Sequence, residues 1–216
     1  MSRANAAAVS ALAAFAALAV LVAAGDLTSI DQWAVQHTMP GAVFTGKPTL
    51  ADAIVPLLGA QWHGALHIAS ELVSLPASFT PATAIVAAAC LTLRGRSAIA
   101  LAAVYAVGNA VEVLVKGTLA RPSLYAHGVH LTGFAASYPS GHTIRTVLVA
   151  VAVAWAWPRF TRLAAVWAVA SIVLLELGGQ HVPSDIVGGL LVAAAAVATT
   201  WSSRPSRACR PSAPAR

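Results

Sequence analysis

Three polar clusters lie where long apolar stretches of the sequence begin or end. They read VKGTLARP (115–122), YPSGHT (138–143) and QHVPSD (180–185). Only 9% of the residues are charged, yet these clusters together hold a lysine, an arginine, two histidines and an aspartate. Ionisable side chains at a membrane boundary are costly to keep, so their clustering indicates a polar site. Residues of these types suit the binding of a phosphate group and attack on its phosphorus.

Metal-free cleavage of a phosphate ester needs positive charge around the phosphoryl oxygens, a nucleophile, and an acid for the leaving oxygen. Lys116 and Arg121 can supply the charge, because a guanidinium can bind two oxygens at once. Ser140 and Gly141 immediately precede a predicted helix, whose first N–H groups and positive dipole end form an anion site. His142, in the first turn of that helix, is predicted to face the same anion.

His181 and Asp185 are four positions apart, which places their side chains on one helical face or across one turn. A carboxylate beside an imidazole fixes its tautomer and raises its nucleophilicity. The spacing therefore makes His181 a candidate nucleophile and Asp185 the carboxylate that orients it. The alternative is that His142, His181 and Asp185 only cap helices at a membrane surface.

The sequence around these clusters is apolar enough to lie in a lipid bilayer. Of its 216 residues, 58% are hydrophobic, and the mean hydropathy is +0.76. Runs near the ~20 residues that a spanning helix needs are predicted at 5–25, 76–93, 97–115, 143–158, 162–179 and 186–201. The first run has features of a signal peptide, but its length favours a retained helix. We therefore predict an all-α polytopic membrane helix bundle of about six transmembrane helices.

A formal charge of +6 is compatible with nucleic-acid binding, but the positions of the basic residues indicate membrane topology instead. Nine of the 13 basic residues occupy the N-terminus, the connections between helices 2–3 and 4–5, and the C-terminal segment. These nine are Arg3, Arg94, Arg96, Arg159, Arg162, Arg204, Arg207, Arg210 and Arg216. By the positive-inside rule both termini are predicted to be cytoplasmic, with the polar clusters at the extracytoplasmic helix ends. The expected partners are the bilayer and its lipids, and no nucleic acid is expected.

One membrane domain is predicted over residues 1–201, with its core at about 76–201. Residues 202–216 are predicted to be a disordered basic cytoplasmic tail. The segment from Asp26 to Pro76 is too mixed to span and is expected outside the membrane, with short amphipathic helices at Leu50–Leu58 and Gln61–Leu75. The connection from Gly117 to Pro139 is expected to be an irregular loop.

The three clusters resemble, in their order and their placement on the helices, the signature of the type 2 phosphatidic acid phosphatase family. The wider superfamily includes vanadium haloperoxidases. The first family motif has a lysine several residues before an Arg-Pro, as Lys116 precedes Arg121-Pro122. The second, Pro-Ser-Gly-His, is intact at 139–142, and the third has a histidine and an aspartate spaced as His181 and Asp185 are.

The resemblance implies a six-helix lipid phosphatase in which His181 attacks phosphorus and becomes a phosphohistidine. Asp185 would orient His181, and His142 would protonate the leaving lipid oxygen and then activate water. The residues implied in binding the phosphoryl oxygens are Lys116, Arg121, Ser140 and Gly141. Neither a metal nor another cofactor would be needed.

The sequence departs from the family pattern at two places. The first motif usually has a longer gap between its lysine and its arginine, and often a second arginine, whose position here holds Ser123. The usual Ser-Arg of the third motif is replaced by Leu174-Leu175. One oxygen-binding guanidinium is therefore missing, and losing such a contact can cost about 3 kcal/mol of transition-state stabilisation. Arg145, one turn after His142, is our candidate replacement, positioned by Glu176; a purely structural ion pair is the alternative.

The predicted function is hydrolysis of a membrane lipid phosphate. The resemblance makes a polyprenyl (di)phosphate, a phosphatidate and phosphatidylglycerol phosphate all candidates, and a polyprenyl (di)phosphate of envelope synthesis is favoured. The alternative is a catalytically impaired lipid-phosphate binding or transport protein of the same fold. A haloperoxidase is disfavoured because those enzymes generally do not span a membrane several times. An ion pair is expected between Lys116 and Glu112, one turn apart.

The spacing of His63, His67 and Glu71 also permits a zinc site, but the polar face of an interfacial helix is favoured.

Overall fold

The computed structural model describes residues 3–39, 62–126 and 129–200. In these ranges the chain forms eight α-helices, two two-residue strands and three short 3-10 turns. The helices are α1 (Arg3–Ala24), α2 (Thr28–His37), α3 (Trp62–Ser74), α4 (Phe79–Thr92), α5 (Arg96–Thr118), α6 (Gly141–Ala156), α7 (Thr161–Leu177) and α8 (Pro183–Thr200). The predicted helix at Leu50–Leu58 and the predicted tail at 202–216 lie outside the described residues.

Five helical segments in the described part of the chain are long and apolar enough to cross a membrane. They are Arg3–Ala24, Leu66–Thr92, Arg96–Thr118, Pro158–Leu177 and Pro183–Thr200. The remaining predicted span corresponds to α6, an apolar helix of 16 residues. At 1.5 Å per residue it is about 24 Å long, shorter than a ~30 Å hydrocarbon layer. The predicted all-α membrane bundle is thus confirmed, with one helix shorter than a full span.

The short helix α6 lies at the centre of the bundle, where it packs against α4, α5, α7 and α8. Its inward side chains Ile144, Leu148 and Val149 are buried in the main apolar core. Gly108 of α5 faces them, and a Cβ placed there would lie 3.1 Å from Ile144 and 3.2 Å from Leu148. Small residues at helix crossings allow this close backbone approach in membrane bundles.

The segment from Asp26 to Pro76 differs from the prediction. The helix predicted at Gln61–Leu75 is present as α3, but it packs along α7 and continues through a 3-10 turn (Leu75–Ala77) into α4. The expected polar outer face was wrong for His67, which is buried with its Nδ1 2.9 Å from the carbonyl oxygen of Gly178. The side chain of His63 lies outside the described part of the structure.

A second apolar cluster holds α2 against the connection between α5 and α6. Its buried members are Val35, Met39, Leu124, Leu131, Phe134 and Val182. The connection, predicted to be irregular, contains a small antiparallel hairpin of β1 (Tyr125–Ala126) and β2 (Val129–His130), followed by the 3-10 turn Thr132–Phe134. Because this cluster also includes Val182, it fixes α2 and the connection at the start of α8.

Candidate active site

The two histidines of the polar clusters meet at one end of the bundle. His142 lies in the first turn of α6, and His181 lies two residues before α8 begins. Their ring centroids are 6.0 Å apart, and the ring planes are tilted by 53°. The rings thus approach each other from two different helix ends, with a separation that suits one small group held between them.

Ser140 is the N-cap of α6 and connects that helix to α8. Its side-chain oxygen accepts a hydrogen bond from the Thr143 backbone N–H at 3.1 Å and from the Thr143 hydroxyl at 2.9 Å. Its own backbone N–H donates to the carbonyl oxygen of Asp185 at 2.9 Å. An N-cap of this kind contributes about 1 kcal/mol to helix stability. The backbone N–H groups of Gly141 and His142 also lie in the first turn, where N–H groups have no hydrogen-bond acceptor within the helix.

Two glycines of α8 allow it to approach the start of α6. A Cβ at Gly189 would lie 2.7 Å from the carbonyl oxygen of Ser140, and one at Gly188 would overlap the ring of Tyr138. Tyr138 is buried and its ring stacks on Phe15 at 5.8 Å. Its burial, together with the charge of Asp185, raises the pKa of its phenol above the ordinary value, so it stays protonated.

Asp185, in the first turn of α8, is fully buried and contacts two other site residues. Its Oδ2 lies 3.5 Å from Nδ1 of His181, and its Oδ1 accepts a hydrogen bond from Nη1 of Arg121 at 2.8 Å. Because Nδ1 of His181 faces the carboxylate, Nε2 is the nitrogen available for reaction. His181 and Asp185 are related across the turn that starts α8, one of the two arrangements that their spacing allows.

Arg121 lies deep in the site, with a side chain only 3% exposed. Its Nη2 donates to Oδ2 of Asp31 at 2.6 Å and its Nη1 donates to Asp185, so the guanidinium bridges two carboxylates. Its Nε is buried and has no hydrogen-bond partner among the described residues. At least the Nε–H donor of this buried cation is therefore left for another group.

Lys116 and Arg145 are joined through Glu112. Nζ of Lys116 lies 2.8 Å from Oε1 of Glu112, which confirms the expected ion pair, and Nη1 of Arg145 lies 2.5 Å from Oε2. The Glu112 carboxylate in turn lies against Gly141, where an added Cβ would overlap it. Lys116 is the more accessible of the two cations, with 27% of its side chain exposed.

The prediction that Glu176 positions Arg145 was wrong. Arg145 bonds Glu112, the Asn109 side chain at 3.0 Å and the carbonyl oxygen of Ala77 at 2.8 Å. Glu176 instead accepts a hydrogen bond from Thr38 at 3.0 Å. The reason is the rotation of α6, which turns Arg145 towards α5 and the turn before α4.

Leu175, at the position where the third motif usually has arginine, is completely buried. Its carbonyl oxygen accepts hydrogen bonds from the backbone N–H groups of Gln180 at 3.0 Å and His181 at 3.2 Å. The residue thus supports the turn that carries His181 through its backbone, and it brings no charge to the site.

Asp31 is a site residue that the sequence analysis missed. It lies on α2, is 1% exposed, and contacts both Arg121 and Ser184. The segment that contains it was predicted to lie outside the membrane because of its mixed composition, and a single aspartate there does not form a recognisable motif. Among the described residues, no group of three His, Cys, Asp or Glu side chains is placed to hold a metal ion.

Comparison with known proteins identifies the family. The described fold is similar to a crystal structure reported as the first transmembrane PAP2 type phosphatidylglycerolphosphate phosphatase from Bacillus subtilis, with a TM-score of 0.59 and 15% sequence identity. That similarity covers 93% of this chain and 98% of the other. No curated protein matches the sequence. A family model described as the PAP2 superfamily matches residues 77–208, a range that contains all three polar clusters and more than half of the chain, so the protein belongs to the PAP2 superfamily.

Proposed function

We propose that the protein is a membrane lipid phosphatase that hydrolyses a phosphomonoester or diphosphate of a membrane lipid through a phosphohistidine intermediate. The observation that carries this proposal is the pair of imidazoles, His142 and His181, 6.0 Å apart between two helix ends. Asp185 behind His181 supports the assignment of nucleophile, since it leaves Nε2 as the reacting nitrogen. The PAP2 superfamily membership and the transmembrane phosphatase fold support the same reaction class.

In the first step, Nε2 of His181 attacks phosphorus as the bond between phosphorus and the lipid oxygen breaks. The electron pair of that bond goes to the lipid oxygen, which takes a proton from His142. In the second step, a water molecule gives a proton to His142 and attacks phosphorus. The phosphorus–nitrogen bond then breaks, phosphate leaves, and both histidines return to their starting states.

The developing charge on the phosphoryl oxygens would be stabilised by the cations and N–H groups around the two rings. Lys116 has three donors and is the most exposed cation of the site, and Arg121 offers the buried Nε. Among the described residues Arg145 bonds through Nε and Nη1, so its Nη2 is the group proposed to replace the missing third-motif arginine. Ser140 and Gly141 would contribute the start of α6 as an anion site.

The substrate is proposed to be an amphiphile whose phosphate lies at the outer headgroup level, since the polar clusters lie at the helix ends opposite Arg94, Arg96, Arg159 and Arg162. A polyprenyl (di)phosphate and a phosphatidate-type lipid both fit this description. Phosphatidylglycerol phosphate belongs to the second type, and the similar solved structure is described as a phosphatase of that lipid. Chemistry at two histidines and an aspartate would proceed without a metal ion.

A second candidate is a lipid-phosphate binding or transport protein that has lost turnover. It is favoured by the neutral Leu175 in place of the usual arginine and by the carboxylates that already engage Arg121 and Arg145. Such a protein would still bind phosphate between the same helix ends.

The test is release of inorganic phosphate by purified protein in detergent, with polyprenyl diphosphate, phosphatidate and phosphatidylglycerol phosphate supplied in turn. We expect release that resists EDTA and is abolished by His181→Ala. His130→Ala, at an exposed histidine of β2, is the matched control and should retain activity. Release that EDTA removes would contradict the metal-free mechanism, and binding of these lipids without any release would favour the second candidate.

A further inference from the structure

Asp31 is a buried carboxylate of the active site that comes from outside the residues matched by the family model. It lies on α2, whereas that match begins at residue 77. With 1% of its surface exposed, it has almost no contact with solvent. Keeping a carboxylate ionised in such a place is costly unless hydrogen bonds and an opposite charge compensate it.

Asp31 receives both the hydrogen bonds and the opposite charge from residues of the site. Its Oδ1 accepts from the backbone N–H of Ser184 at 3.1 Å, and its Oδ2 accepts from the Ser184 hydroxyl at 2.6 Å. The same Oδ2 accepts from Nη2 of Arg121 at 2.6 Å. Asp31 therefore connects α2 to the first turn of α8 and to Arg121, which follows α5.

Arg121 divides its donors between two carboxylates because of Asp31. Nη2 goes to Asp31 and Nη1 goes to Oδ1 of Asp185. Oδ2 of Asp185 is thereby left for Nδ1 of His181. An arginine with one carboxylate neighbour tends to bind both of its oxygens in a parallel pair of hydrogen bonds. Without Asp31, the guanidinium would be drawn onto both oxygens of Asp185, in competition with His181.

We infer that Asp31 is a positioning residue of the reaction: by holding Nη2 of Arg121, it keeps one oxygen of Asp185 available to orient the nucleophile His181. It also fixes the orientation of the guanidinium, whose Nε has no hydrogen-bond partner among the described residues. The inference rests on the proposed phosphatase function. If this is so, the N-terminal part of the chain contributes a residue to the active site as well as a helix to the membrane bundle.

The first test is Asp31→Asn, which keeps the shape of the side chain and removes its charge. With Asp185 drawn away from His181, kcat should fall about 10- to 100-fold, as when an orienting partner is lost. KM should change by less than about threefold, because substrate recognition is largely retained. Asp26→Asn is the matched control, since Asp26 is an exposed aspartate five residues earlier, and it should match the wild type.

A double-mutant cycle separates positioning from a general structural role. If Asp31 acts through Arg121, Asp31→Asn should change kcat/KM less than about threefold in an Arg121→Ala background, although it has a large effect alone. A merely structural role would give effects that multiply in the double variant. Multiplying effects, or a kcat for Asp31→Asn equal to that of the wild type, would overturn the inference.

The proposed phosphatase function and the proposed role of Asp31 can be refuted separately. If the wild type releases no phosphate from any lipid phosphate, the proposed function fails and the role of Asp31 in it falls as well. If the wild type is active and Asp31→Asn is equally active, only the role of Asp31 is overturned. Should Asp31→Asn not give a monodisperse protein in detergent, Ser184→Ala removes one donor to Asp31 and keeps every charge. It should then lower kcat roughly three- to tenfold, and an unchanged kcat would refute the inference.

Discussion

Arg145 and Glu112 form a buried ion pair between α6 and α5, with Nη1 of Arg145 2.5 Å from Oε2 of Glu112. The same carboxylate binds Lys116 through its other oxygen at 2.8 Å. Glu112 thus holds two cations next to the start of α6, where the anion site is proposed. We propose that this arrangement brings a guanidinium to the site from α6, since the usual arginine position is occupied by Leu175.

Replacing Arg145 with glutamine tests whether this guanidinium serves the reaction. Loss of one charge-stabilising donor should lower kcat by about 10²-fold or more. The measurement is steady-state phosphate release in detergent, together with a thermal unfolding curve. Arg162→Gln, at an exposed arginine at the opposite end of the bundle, is the matched control and should leave kcat unchanged. Unchanged turnover in Arg145→Gln would show that the ion pair is only structural.

Replacing Glu112 with glutamine should destabilise the protein. It leaves Arg145 and Lys116 without their shared carboxylate, and breaking a buried pair in this way costs about 3–5 kcal/mol. A clear fall in the thermal unfolding midpoint is therefore expected. Glu71→Gln, at a glutamate whose side chain is 54% exposed, should change stability by less than about 1 kcal/mol. Equal midpoints for the two variants would mean that Glu112 is not an essential counter-charge.

Gly141 is expected to tolerate no larger residue. A Cβ there would overlap the Glu112 carboxylate, which must then move away from Lys116 and Arg145. Gly141→Ala should therefore lower kcat at least about tenfold and cost about 1–3 kcal/mol of stability, as overpacking does. Gly133→Ala is the control, because a Cβ at Gly133 would have no atom of the described residues within 4 Å. A fully active Gly141→Ala would contradict the placement of Glu112.

The membrane helices were largely predictable because length and apolar composition are local properties. Predicted runs such as 97–115 and 162–179 correspond closely to α5 and α7. Because the composition before Pro76 is mixed, the sequence did not indicate that α3 continues into α4 through a single 3-10 turn. The two helices together form one apolar segment, Leu66–Thr92. Composition predicts how apolar a helix is, whereas the packing of α3 on α7 depends on the whole bundle.

The residues proposed to react were predicted from motif order, since His142 and His181 each lie within a few residues of a helix start. The partners of Arg145 and Arg121 were not readable, because they depend on helix rotation and on contacts between distant segments. Asp31 lies 90 positions from Arg121 along the chain, and no local pattern marks it. The expectation of Glu176 as a partner failed for the same reason.

The most direct measurement is identification of the phosphorylated residue after rapid quenching with a labelled lipid phosphate. His142→Ala with a labelled lipid diphosphate is the best combination for it, because the leaving lipid phosphate needs little protonation, whereas loss of the group proposed to activate water should let the intermediate accumulate. We expect acid-labile, base-stable label on His181, and none in a His181→Ala variant. Label on another residue, or active hydrolysis by the wild type with no label on His181 in either protein, would contradict the account.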